Sequence, residues 1–162
     1  VDWQTSEGED RYRRALYTTW RRSNPYPSMT TFDAPNREVC TLRRERTNTP
    51  LQALVTLNDP VYIEAAQALA RAALKQTADP AARAEWMLRQ TLARPAESAE
   101  VARLITLQGQ AKTKLATVPE QAAKLATVPI GPVPEKTDVL ELAAWTVVAN
   151  AVLNLDEILM RR

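Results

Sequence analysis

The sequence predicts an all-α fold: an irregular bundle of about five to seven helices with a long ordered loop between the first and second. Three observations carry this. Alanine, leucine, glutamine, glutamate and arginine dominate, the residues that lose least entropy in a helix. A capping residue followed by proline recurs at Thr49-Pro50, Asp59-Pro60 and Asp79-Pro80, and proline fits a first helical turn because its missing N–H would be unpaired there anyway. Apolar side chains recur at helical spacing, and strand signals are weak throughout.

The first helix is expected from about Glu9 to Arg22, with Tyr12, Leu16 and Trp20 as a buried stripe, Ala15 and Thr19 beside it. Arg11, Arg14, Arg21 and Arg22 fall largely off that stripe. Asn24-Pro25 and Tyr26-Pro27 should stop the helix, and an irregular stretch follows to about Asn48. A connection that long in a compact domain is usually functional or docked onto something. Thr49-Pro50-Leu51-Gln52 is a capping box opening a short helix to Leu57. Asn58-Asp59-Pro60 starts a longer one to Gln76, with Ile63, Ala66, Leu69 and Ala73 on its packing face. Asp79-Pro80 opens a helix to Leu92 carrying Trp86, Met87 and Leu88, and Ser98 should cap another with Val101, Leu104, Ile105 and Gln108 on one face.

Residues 111–137 hold a duplication, Lys114-Leu115-Ala116-Thr117-Val118-Pro119 and Lys124-Leu125-Ala126-Thr127-Val128-Pro129, then a proline-rich connection through Pro132 and Pro134. Two copies do not make a solenoid, so the duplication reads as lengthening a surface connection. Asp138 should cap the last helix, Val139 to about Leu159, whose Leu142, Trp145, Thr146, Ala149, Val152 and Leu153 make a face broad enough to lie inside the bundle.

The chain of 162 residues suits a single helical domain over 1–162. It reads as the C-terminal fragment of a larger domain or protein, since Val1, Asp2 and Trp3 are neither an initiator nor a leader. A net charge of +2 is too small to point to nucleic acid or an anionic membrane, and no stretch reaches the roughly 20 apolar residues of a membrane span. Arginines interleaved with Tyr12, Tyr17 and Trp20 hint at nucleic acid only faintly, because Glu7, Glu9 and Asp10 dilute the patch. With no histidine, Ser-His-Asp and Cys-His catalysis, His-ligated metals and a His-bound haem are excluded within this segment. Cys40 is alone and reads as a buried small apolar residue. Gly8, Gly109 and Gly131 are isolated, so no phosphate-cradling loop can be built from them.

Chemistry-bearing groups concentrate between residues 32 and 60. Asp33, Arg43, Arg44, Arg46, Asn48, Gln52, Asn58 and Asp59 form the candidate polar cluster, with Arg37, Glu38, Glu45 and Thr47 beside them. In one reading the arginines grip an anion, helped by the free N–H groups of the helix opened at Thr49. In the other, the arginines pair with Asp33, Glu38 and Asp59 to pin a loop while Thr49 and Asp59 simply cap helices, and this reading is preferred because each cap has a sufficient structural job. Asp33 with Asp59 or Glu38 would suit acid–base work only at a defined separation, and carboxylates among arginines should stay ionised. No catalytic motif and no metal set is identified.

Three stretches, Asp10 to Tyr17, Phe32-Asp33-Ala34-Pro35, and Arg43 to Leu54 with Asn58-Asp59-Pro60, together with the closing run Leu142 to Trp145 and Asn154 to Glu157, resemble the C-terminal part of the planctomycete-type domain of unknown function 1553. The resemblance covers essentially the whole chain, and the duplicated segment departs from the family pattern. It implies an extracytoplasmic setting in a large exported protein that often carries a cytochrome c module. Any haem would then sit in a separate domain, since this segment lacks the attachment residues. The expected partners are the missing N-terminal portion and neighbouring domains of the parent, which makes the chain a non-enzymatic helical packing module. The rival role is a binding or processing site on residues 32–60 for an anionic ligand such as a polysaccharide. The family supplies no catalytic residues to carry over.

Overall fold

The structure is a computed structural model that describes residues 6, 8–21, 23–36 and 38–160. It is helical and contains no β-strand among those residues. The backbone divides into two compact units, Val1–Thr47 and Asn48–Arg162.

The first unit holds little regular structure. The single helix expected from Glu9 to Arg22 does not form: 3-10 turns occupy Gly8–Tyr12 and Ala15–Tyr17, separated at Arg14 by an extended backbone (ψ 151°). Arg22 lies outside the described residues. The physical reason is missing burial. A lone helix of that length is marginal in water without packing, and its intended stripe stays open, with Tyr12 70% and Leu16 78% exposed. Tyr26-Pro27, expected to stop a helix, starts one instead. Pro27 takes the first turn of α1 (Pro27–Thr31), where its fixed φ suits the helix. The Asp33 N–H then bonds to the Thr30 carbonyl and the Ala34 N–H to the Met29 carbonyl, while Asp33 adopts the left-handed conformation (φ 59°). This is a Schellman ending with aspartate where glycine is usual.

The second unit follows its caps. Thr49 and Gln52 close the expected capping box on α2 (Pro50–Asn58), Asp59 caps α3 (Pro60–Gln76), and Asp79 caps α4 (Pro80–Leu92). The helix α5 (Ser98–Ala116) begins one residue earlier than a Ser98 cap would place it: Glu97 is the cap position, and its N–H donates to the Glu100 carboxylate at 2.8 Å. Val118-Pro119 opens α6 (Pro119–Thr127), and Asp138 caps α7 (Val139–Leu153). The last helix ends short of Leu159 because the chain breaks at Asn154 and resumes as α8 (Asp156–Leu159).

Helix α7 is the centre of this unit. It is buried from Leu142 to Thr146, from Val148 to Asn150 and at Val152, as a helix apolar on all sides must be. It packs on α3, α5 and α6, and touches α2 and α4. Ala66, Ala70 and Ala73 of α3 carry no side chain large enough to hold the axes apart. Trp145, Met87, Leu88 and Leu142 fill the core, each contributing roughly 1.5–3 kcal/mol by leaving water.

The duplicated hexapeptide does not lengthen a surface connection. Its first copy ends α5 and supplies Pro119 to start α6, its second ends α6, and the helix between them places Ala122 and Ala126 in the core. Proline at a first turn made a helix out of what reads as a linker. The turn after α6 is gripped from α3: the Gln67 amide donates to the Leu125 (2.5 Å) and Val128 (2.8 Å) carbonyls and accepts from the Ile130 N–H at 3.2 Å. Arg71 donates through Nη2 to the Ala126 (3.1 Å) and Gly131 (2.6 Å) carbonyls. Among the described residues, no helix is long and apolar enough to cross a membrane.

Candidate functional site

Within the first unit, Asp33 closes a loop. Its carboxylate accepts from the Thr47 N–H at 2.8 Å and from the Thr47 hydroxyl at 2.9 Å. The left-handed backbone at Asp33, a conformation aspartate tolerates better than most residues, ends α1 and sets the chain's exit direction there. Arg43 and Arg44 are exposed and form no ion pair with a carboxylate among the described residues, so they do not pin the loop as expected. Arg46 and Glu45 are also exposed. Glu38 instead accepts from the Asn36 side chain at 3.2 Å. Arg37 lies outside the described residues. Cys40 is exposed, not buried, because the irregular stretch around it has no helix face to turn inward.

Within the second unit, the remaining members of the cluster are engaged in structural bonds. Asn48 Nδ2 donates to Asp156 Oδ1 at 2.5 Å, tying the start of α2 to α8. Gln52 is buried and accepts from the Thr49 N–H at 3.1 Å, while its own N–H donates to the Thr49 hydroxyl at 3.3 Å. Asn58 donates to the Leu54 carbonyl at 2.8 Å, and Asp59 accepts from the Val61 N–H at 2.9 Å. A residue outside the predicted cluster completes the tie. The buried Thr56 hydroxyl donates to Asn154 Oδ1, and the Asn150 amide reaches the Thr56 carbonyl at 3.5 Å. Asn154 is therefore drawn toward α2 where α7 breaks.

Two charged networks were not foreseen from the sequence. In the first, Glu141 of α7 accepts from Arg83 Nη1 at 2.6 Å, Lys112 Nζ at 2.8 Å and the Trp145 indole at 3.2 Å. Arg83, mostly buried, also donates to the Thr77 carbonyl at 2.7 Å, and its guanidinium lies 5.8 Å from the Trp145 ring centroid. Burial pushes the Glu141 carboxyl upward, but the bonds from Lys112, Arg83 and Trp145 outweigh it, so the group sits below the usual carboxylate range. The bond to Glu141 correspondingly holds Lys112 above the usual ammonium range. Every charge here has a partner, so the network ties α4, α5 and α7 together and leaves no poised acid or base.

In the second, Arg94 forms forked bonds to Glu100 (2.7 and 3.0 Å) and Glu157 (2.9 and 2.8 Å). Ala93, in the left-handed conformation (φ 56°), ends α4 just before it. The Arg94 bond, with the Glu97 N–H, pulls the Glu100 carboxyl down to about 2. Glu157 is lowered by the same guanidinium, whose own proton is held more tightly in return. The available signal for the first network was a charged residue in an otherwise apolar helix, Glu141 in α7.

Among the described residues, no three His, Cys, Asp or Glu side chains gather in a way that could hold a metal ion. No curated protein and no solved structure matches the chain. Residues 1–108 match the family model described as PSD1, protein of unknown function (DUF1553), while the closing run from Leu142 to Glu157 lies beyond the matched residues. The chain belongs to that DUF1553 family.

Proposed function

We propose that the chain is a non-enzymatic packing module, the C-terminal part of a planctomycete-type domain in a larger extracytoplasmic protein that also carries a cytochrome c module. Its contact with neighbouring domains of the parent is the outer face of α2 and the start of α3. The supporting observation is the composition of that face. Leu51, Leu54 and Val61 are 57%, 59% and 54% exposed, and Leu57 is exposed with them. No residue of α2 is charged. A helix face left in water normally carries charge, and a run of exposed aliphatic side chains marks an interaction surface. Any haem belongs to another domain of the parent.

The alternative, an anionic-ligand or polysaccharide site on residues 32–60, would have to rest on Arg43 and Arg44. Asp33, Asn48, Gln52, Asn58 and Asp59 already hold backbone or side-chain partners of their own. Amide hydrogen exchange on this chain and on its full-length parent tests the packing reading. The α2 amides should be protected in the parent well beyond their level in the isolated chain, and Leu51→Ser with Leu54→Ser should remove the difference while leaving the circular dichroism unchanged. Equal protection of α2 in both proteins would sink it.

A further inference from the structure

We propose that the recess between the C-terminal half of α3 and the 134–137 turn binds a small oxyanion, a phosphate or carboxylate group. The recess encloses about 60 Å³ and is lined by Arg71, Leu74, Lys75, Pro134 and Thr137. That space holds a few water molecules or one oxyanion head group. It lies on residues distinct from the exposed α2 face and does not depend on the packing role proposed above.

The charge balance carries the argument. Arg83 and Arg94 each meet at least one carboxylate. Arg71 meets none among the described residues: its Nη2 donates to two carbonyl oxygens, and its Nε is buried without a partner. Closed off from solvent, that Nε is not a donor to the recess; what the guanidinium lacks is a counter-charge. Burial lowers the Arg71 guanidinium from its ordinary range with no anion to offset it. Lys75 follows one turn later on α3, exposed and without an ion pair among the described residues. Two cations at i and i+4 repel each other unless an anion sits between them. The nearby acids Asp138, which caps α7 through the Leu140 N–H at 3.0 Å, and Glu135, which is exposed, form no ion pair with either cation among the described residues. Thr137 adds a hydroxyl to the lining, so an oxyanion would find two charged donors and one neutral one.

The test is a titration of the intact chain with inorganic phosphate, and separately with acetate, followed by amide chemical shifts against sodium chloride at matched ionic strength. Saturating shifts centred on Arg71, Lys75 and Thr137 are expected. Lys75→Ala should weaken binding about three- to fivefold, the scale of an exposed charge pair, and Arg71→Gln should abolish it. If Arg71→Gln fails to fold, the double variant Lys75→Ala, Thr137→Val carries the same test. Tighter phosphate binding would name a phosphate-type ligand, and equal or tighter acetate binding a carboxylate. Shifts that never saturate, that spread over all exposed cations, or that are unchanged in Lys75→Ala would overturn the proposal.

Discussion

Leu42 and Leu142 are the same side chain at opposite limits, the first fully exposed and the second fully buried. The difference belongs to their units. Among the described residues, none before Gln52 is buried, although that stretch contains Tyr12, Leu16, Tyr17, Val39 and Leu42. In the second unit the helices α3 to α7 turn apolar faces toward one another, and α7 meets several of them. Apolar content alone therefore does not make a core: helices must present faces to one another, and the cost of ordering them must be met by that burial.

The largest test of this contrast is Trp145→Ala. It removes the biggest fully buried side chain along with its bond to Glu141, and should cost about 3–5 kcal/mol in chemical denaturation. A loss under about 1 kcal/mol would mean that the α7 core is loosely packed. Thr56→Val comes next. It keeps the side-chain shape but strands Asn154 Oδ1, so about 1–2 kcal/mol should be lost, with the denaturant slope unchanged and stability restored by Thr56→Ser.

A smaller effect is expected in acid. Because the Glu100 carboxyl is drawn from its ordinary 4.5 to about 2 in the folded chain, protons bind the unfolded chain first. The Arg94 clamp thus contributes fully above about pH 4.5, and its contribution fades as pH falls toward 2. Arg94→Met should flatten the stability–pH curve across that window, and an unchanged slope would show that the clamp is not coupled to folding. The smallest effect should come from Leu42→Ser, within about 0.5 kcal/mol in the isolated chain. A larger loss would erase the contrast between the two units.

Legibility followed the same division. The starts of α2, α3 and α4 could be read because a cap and a proline act locally, within one turn of chain. The helix expected at Glu9–Arg22 could not be judged that way, since its stripe needed a partner that local sequence does not specify. Within the candidate cluster, Gln52 and Asp59 took the capping roles assigned to that segment. Asn48 instead reaches Asp156, a pairing between residues far apart in the chain. Thr56 is inconspicuous in the sequence because a mid-helix threonine usually donates back to its own preceding turn, whereas here the hydroxyl proton goes to Asn154 Oδ1. Glu141 is a charged residue in an otherwise apolar helix, and its partners Arg83 and Lys112 lie on two other helices that its own sequence neighbourhood does not specify.

The central position of α7 has a consequence for the order of events during synthesis. The ribosome releases α3 first, and the helix that covers it emerges only after α4, α5 and α6. Until Val139–Leu153 leaves the exit tunnel, the alanine face of α3 and the inner faces of α5 and α6 have no lasting cover. The nascent chain must hold these surfaces in water until its central helix arrives, and a ribosome stalled before Val139 would present them to chaperones.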